Sequence, residues 1–339
     1  MRVNIAYSSS DLYAQCTGIS ILSLLHNNRE IEELQIYIID SDISKKNKTN
    51  IIRLAESYGR KIEFISAQKQ FENKANEMNF SLLRGAYNTY ARLMLNQWFS
   101  NIDKILIIDS DTLVTGSILE LWQTDLQNNL MAAVPEIGVY AEGTQSEDLD
   151  IIDMHDNFYN VGIAMFNLKQ WRKENIDNLI KGKIKQYGKE FMAAEQSIIN
   201  YSIGNRILKL NLKYNYYTHV HAVSYKTVSK VFSRKTIFSI SEFEGAQERP
   251  VIIHFVGFPF ERPWYARSAT PYNNLYQKYR NQSPWSDTPL AQLPPAKNVL
   301  FGVYDYVVRA MKRMNMYSFT LWFRFILGQR IKKLTGQNR

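Results

Sequence analysis

A single cysteine, Cys16, stands in a chain of 339 residues. No intrachain disulfide can form, which suits a reducing compartment. The cysteine falls in an apolar helical pattern and reads as plain core. No apolar run reaches the ~18 residues that a membrane-crossing helix needs. The opening residues, MRVNIAYSSS, read as a strand and lack the apolar centre of a secretory leader. A cytosolic protein is therefore expected. Internal repeats, low-complexity linkers and the G-x-G-x-x-G turn of dinucleotide-binding units are also missing. The last of these absences argues against a dinucleotide cofactor.

What is present is a well-buried body. The chain is 45% hydrophobic and 22% charged, with a length that suggests about two domains. The net charge of +9 is unevenly spread. From Ala296 onward the cations Lys297, Arg309, Lys312, Arg313, Arg324, Arg330, Lys332, Lys333 and Arg339 face one acid, Asp305. The rest of the chain is close to neutral. A near-neutral body with a basic tail is not a generic nucleic-acid binder, and no nucleic-acid module is recognisable. The clearest boundary is the Pro-rich stretch 283–295. The expected division is a body over 1–282 and a linker with basic tail over 283–339.

Strand and helix patterns alternate along the body. Strands are expected at 3–7, 34–39, 61–65, 130–134, 158–166 and 251–255. The cluster Ser8-Ser9-Ser10-Asp11 reads as a cap for a helix carrying Ile19, Leu22 and Leu25. Further helices are expected at 45–58, 85–99, 117–122, 168–180 and from Glu195 through 201. Residues 137–157 read as an acidic surface loop. This alternation predicts an α/β fold around one twisted, mostly parallel sheet.

The most informative stretch is KILIIDSDTLV, residues 104–114. The apolar run Ile105–Ile108 has the composition of a buried parallel strand. Asp109, Ser110 and Asp111 then break it. In an extended backbone, residues i and i+2 point one way and i+1 the other. Both carboxylates should face one side, with Ser110 on the opposite side. Two carboxylates held together repel unless a cation sits between them. A hard divalent ion is the natural occupant. Asp-x-Asp also occurs in plain turns and caps. The strand before it and Thr112–Val114 after it favour the metal reading. His254, at the end of strand 251–255, supplies a candidate third ligand. Two carboxylates and an imidazole suit Mn²⁺ better than Mg²⁺, the second choice.

Several stretches together resemble glycosyltransferase family 8, the retaining GT-A enzymes that use UDP-sugars. They are YARLMLNQW (90–98), KILIIDSDTLVTGSILELW (104–122), YNVGIAMFNLKQWRKENI (159–176), EQSIIN (195–200) and HFVGFPFERPW (254–264). The resemblance looks strongest to bacterial lipooligosaccharide α-galactosyltransferases and covers roughly residues 1–280. It implies a GT-A Rossmann-like domain and a metal bridging the UDP diphosphate from Asp109, Asp111 and His254. It also implies that Ala6 and Tyr13 meet the uracil. Ser110 joins the donor-binding stretch. Arg92, Asn160 and Glu195 would hold the donor sugar, Gly257 and Arg262 the diphosphate, and Glu136 the acceptor. Gln196 would lie beneath the anomeric carbon. The donor is expected to be UDP-galactose or UDP-glucose, and the acceptor a glycan or lipid-linked glycan. Related enzymes carry Asp-Gln-Asp where this chain has Glu195-Gln196-Ser197, and Lys where it has Arg262. Glu for Asp lengthens the reach to the sugar hydroxyls. Arginine still neutralises diphosphate, and can do so bidentately.

The tail adds a second expectation. Segments 299–314 and 317–334 mix aromatics with cations in the manner of interfacial helices. Residues 297–339 are therefore expected on an anionic membrane surface, which would place the protein peripherally on the inner face of the cell membrane. Two other readings stay open. One is a self-glycosylating initiator, revealed by a mass gain with UDP-sugar. The other is a non-catalytic nucleotide-sugar or membrane-binding protein, which would bind UDP without releasing it.

Overall fold

The computed structural model describes residues 1–78, 88–137, 158–187, 194–221, 223–231, 237–256, 261–266, 268 and 270–292. In the tail it describes residues 306, 307, 310, 311, 314 and 316. Among the described residues, ten strands form two sheets. They are β1 (Arg2–Ser10), β2 (Glu33–Ser41), β3 (Ile62–Ser66), β4 (Lys104–Ile108), β5 (Thr112–Val114), β6 (Met131–Pro135), β7 (Tyr159–Asn167), β8 (Ile207–Lys209), β9 (Tyr216–Tyr217) and β10 (Ile252–His254). The large sheet runs β3-β2-β1-β4-β7-β6-β8. All its pairings are parallel except the two made by β7, which runs against β4 and β6. The small sheet, β5-β10-β9, has β10 antiparallel to β5 and parallel to β9.

The continuous apolar runs have a plain cause: both faces of the large sheet are buried. Ile5, Tyr7, Leu106, Ile108, Ile163 and Met165 pack on one face, with the helix Ala14–His26. Ala6, Ile105, Ile107, Ala164 and Phe166 pack on the other, with the helix Ala194–Ile203. A strand buried on both sides has no polar face to alternate with. This is the mostly parallel α/β architecture that the alternation predicts.

Some boundaries differ from expectation. The serine cluster does not cap a helix but continues β1, pairing with Ile39, Asp40 and Ser41. Ser9 can be buried because its hydroxyl bonds Thr17 at 2.7 Å, and half-buried Ser8 donates to the Asn88 carbonyl at 2.8 Å. The helix expected at 85–99 is a 3-10 segment, Asn88–Leu93, followed by the short helix Leu95–Trp98. Tyr90, Ala91, Arg92, Leu93, Met94 and Leu95 are all buried. One helical stripe cannot bury six consecutive residues, so the chain bends. The helix expected at 168–180 splits into Leu168–Lys173 and Ile176–Tyr187, where Asn175 adopts φ 54. Asparagine tolerates that left-handed turn. Strands β8 and β9 and the helices Tyr225–Val231, Ile240–Glu248 and Asn273–Asn281 had no counterpart in the sequence reading.

Residues beyond 282 also contact the body. Trp285 is buried against Gly18, where a Cβ would collide with the indole, and its Nε1 donates to Asn47 at 3.0 Å. Ala291 exchanges backbone hydrogen bonds with Trp264 and Ala266. Packing against the body is therefore described as far as Ala291. The acidic stretch beyond Ile137 and nearly all of segments 299–314 and 317–334 lie outside the described residues. Among the described residues, no helix is long and apolar enough to cross a membrane.

Cys16 is buried in this core, and burial pushes its thiol up to about 12. A thiolate is the reactive form. The folded protein should therefore resist a thiol reagent at pH 8 and react fully once unfolded. Rapid labelling without denaturant would contradict this packing.

Candidate active site

The two sheets meet where β4 ends. The alternation of β4 carries past Ile108. Asp109 falls on the side of Ile105 and Ile107, and Ser110 on the side of Leu106 and Ile108. Accordingly Ser110 turns toward the first long helix, where Thr17 donates to its oxygen at 2.8 Å and it donates to the Ser8 carbonyl at 3.2 Å. Asp109 turns the other way. Its backbone N–H donates to Gly162 of β7 at 2.8 Å. Asp111 sits before β5, and its carbonyl accepts from Phe255 N–H at 2.9 Å, which sets it beside the end of β10. His254 Nε2 then lies 3.2 Å from Asp111 Oδ1 and 3.7 Å from Asp109 Oδ2. One ligand atom from each of the three residues lies within 4.8 Å of the others.

Three features fit this trio to a divalent cation. The donor set, two carboxylates and an imidazole, is that of a borderline metal. Space is reserved for it: a Cβ on Gly162 would come within 2.6 Å of both Asp109 Oδ2 and His254 Cε1. Asp109 divides its oxygens, Oδ1 accepting from Arg92 while Oδ2 faces His254.

The electrostatics are tightly linked. Burial opposes ionisation of Asp111, but the charge and hydrogen bond of His254, with Arg262, outweigh it and hold the carboxyl down to about 2. Burial likewise opposes charge on His254, yet Asp111 and Asp109 raise its pKa above the ordinary 6.5. The signs give a pH window. The lowered Asp111 contributes stability above its ordinary 3.8, lost as pH falls toward 2. The raised His254 contributes fully below 6.5, and its share is lost as pH rises through the raised value. A metal must displace the Nε2 proton, so binding strengthens as pH rises. The rise in melting temperature on replacing EDTA by MnCl₂ should thus grow from about pH 6 to 8. A pH-independent difference would rule out His254 as a ligand.

Around the trio the structure gathers most of the expected residues. Arg92, buried, donates to Asp109 Oδ1, to Glu195 Oε1 at 3.2 Å and to the Val161 carbonyl at 2.7 Å. Gln196 Oε1 accepts from Val161 N–H at 3.2 Å. Asn160 donates to Glu136 Oε2 at 2.7 Å. Arg262 donates to the Tyr13 hydroxyl at 3.2 Å and lies over the Trp264 ring. Ala6 is buried in β1. Gly257 lies outside the described residues. Asp11 is engaged elsewhere, accepting from Ser44 N–H at 2.9 Å and Asn47 at 2.7 Å.

Three residues of the site were missed. Gly162 is the small residue that leaves room for the trio. Asn200 clamps Tyr159, accepting from its N–H at 2.7 Å and donating to its carbonyl at 2.8 Å. Asn215 Oδ1 sits 2.9 Å from His254 Nδ1. The only signal for Asn215 was a small polar residue among tyrosines in KYNYY.

Comparison with known proteins agrees with this geometry. A glycosyltransferase of Haemophilus influenzae is 29% identical over 215 residues, 63% of this chain and 63% of that protein. The chain thus spans under two thirds of that relative. The lipopolysaccharide 1,3-galactosyltransferase of Salmonella typhimurium is 23% identical over 290 residues, 84% of this chain and 80% of that enzyme. Among solved structures, the galactosyltransferase LgtC, in complex with donor and acceptor sugar analogs, superposes with a TM-score of 0.70 at 21% identity. That match covers 84% of this chain and 99% of LgtC. The LgtC likeness shows a shared GT-A fold. The profile described as Glycosyl transferase family 8 matches residues 4–267, most of the packed body, and the chain belongs to that family.

Proposed function

We propose that this protein transfers galactose or glucose from a UDP-sugar to a glycan acceptor with retention of the α-anomer. The observation that carries the reading is the convergence of Asp109, Asp111 and His254 at the junction of the sheets. These residues would hold a divalent ion, Mn²⁺ before Mg²⁺. When bound, it supplies positive charge for the diphosphate leaving group. Arg262, fixed against Tyr13 and Trp264, adds a second positive charge on the leaving-group side. Arg92, Asn160 and Glu195 orient the sugar, and Tyr13 with Ala6 receives the uracil. Glu136 takes the acceptor side. As the bond from the anomeric carbon to the β-phosphate oxygen breaks, the carbon becomes cationic. Gln196 is an amide and a poor nucleophile, so a covalent intermediate of the glycosidase kind is disfavoured. The acceptor hydroxyl attacks from the face that UDP leaves, and its proton passes to the departing phosphate oxygen. The name of the Salmonella relative favours galactose and a lipopolysaccharide-type acceptor. The test is UDP release from a panel of UDP-sugars with MnCl₂. No donor-dependent release above buffer would overturn the reading.

The tail belongs to the same proposal. Aromatics and cations in 297–339 suit an anionic lipid surface, with about 1 kcal/mol per nearby cation. Truncation after residue 296 keeps every residue described as packed on the body. The truncated protein should lose binding to anionic liposomes and keep UDP release, and full-length binding should fall steeply with salt. Salt-insensitive binding, or binding by the truncated form, would contradict it.

A further inference from the structure

His254 reaches the trio through Nε2, so its other nitrogen decides whether that lone pair is available. Asn160 Oδ1 accepts from the backbone N–H of Gly162 at 2.9 Å, a group that can only donate. The oxygen of Asn160 is thereby identified, and its Nδ2 is the group facing Glu136 Oε2 at 2.7 Å. Asn215 approaches that same Asn160 oxygen at 2.8 Å and must donate from Nδ2. Its oxygen is left facing His254 Nδ1 at 2.9 Å. The imidazole must therefore carry a proton on Nδ1. Every donor in the chain His254–Asn215–Asn160–Glu136 points toward Glu136, whose carboxylate closes it. His254, Asn215 and Asn160 are all buried, Asn215 completely, so water cannot substitute freely for a lost member.

We propose that Asn215 is a positioning residue of the metal site: it holds His254 in the tautomer whose Nε2 lone pair faces Asp109 and Asp111, and Glu136 sets the direction of the chain. The inference rests on the metal reading given above. Partners on the far nitrogen of a ligating imidazole fix its tautomer and orientation, and losing them typically costs ten- to a hundredfold in metal affinity. The arrangement also joins the acceptor-side carboxylate to a metal ligand through two amides.

The test compares the full chain with Asn215→Ala and Asn215→Asp. Mn²⁺ is titrated by loss of the free-ion EPR signal, with and without UDP. Histidine tautomers are read by ¹⁵N NMR on the metal-free proteins at alkaline pH. Asn215→Ala should weaken Mn²⁺ binding about tenfold or more and lose the Nδ1–H preference. Asn215→Asp keeps an acceptor for Nδ1–H but sets a carboxylate oxygen against Asn160 Oδ1. It should melt lower, yet keep the tautomer and bind Mn²⁺ at least as well as Asn215→Ala does. Affinity would then follow the acceptor and not the stability. Wild-type affinity and tautomer in Asn215→Ala would overturn the proposal, as would affinities that simply follow the melting temperatures. Wild-type protein that bound no Mn²⁺ in either condition would overturn the metal reading itself, and a retained Nδ1–H signal would distinguish that failure from a wrong tautomer.

Discussion

Asp111→Asn should lower UDP-sugar turnover by about a thousandfold while leaving the protein folded, a loss of roughly 4 kcal/mol of transition-state stabilisation. Asp111 sits 3.2 Å from His254 Nε2 and has no ion pair to Arg92. Its replacement removes one ligand charge together with the attraction to His254 and Arg262 that holds its carboxyl down, so the variant should melt somewhat lower yet stay folded. Asp109→Asn should lose similar activity and melt lower for a different reason, because buried Arg92 loses one of the two carboxylates described beside it. Turnover by the unmodified protein in excess EDTA should fall to the level of either variant. Melting curves with initial rates for both variants make the check. Near-normal rates in Asp111→Asn, or full rates in EDTA, would remove the metal from the reaction.

The contrast between these two aspartates could not be read from the sequence. Asp-Ser-Asp after an apolar run did predict carboxylates on one side and Ser110 on the other, because the alternation of β4 is local geometry. His254 was legible as a polar residue ending an apolar strand. Arg92 and Glu195 entered only through a family resemblance, and nothing in their spacing showed that one guanidinium would bridge Glu195 and Asp109. That bridge depends on a 3-10 segment, Asn88–Leu93, where the periodicity suggested a regular helix. Asn215 was missed for a related reason. It lies just before β9, a strand of two residues, too short to leave a periodic pattern. The central strands were legible because burial on both faces makes them apolar throughout. The continuation of β1 through three serines was not, because the partners of Ser8 and Ser9, the Asn88 carbonyl and the Thr17 hydroxyl, come from other elements.

Loss of Arg92 should cost substantial stability. Burial opposes its charge, but Asp109 and Glu195 more than offset that and raise its pKa. Arg92→Leu keeps an apolar stem and removes the cation. Glu195, itself buried, and Asp109 then lose the charge set between them. Removing one member of a buried ion pair typically costs about 3–5 kcal/mol. The variant should melt well below the unmodified protein. MnCl₂ should stabilise the variant more than the unmodified protein, since it supplies Asp109 with another cation. Adding Glu195→Leu should recover part of the loss, because the double variant no longer buries the glutamate charge. The two changes would then be strongly non-additive, as residues of one network are. The measurement is a double-mutant cycle in urea at pH 8. Additive losses, or an Arg92→Leu protein as stable as the original at pH 8, would mean that the bridge between the metal ligand and the sugar-side carboxylate contributes nothing to holding this site together.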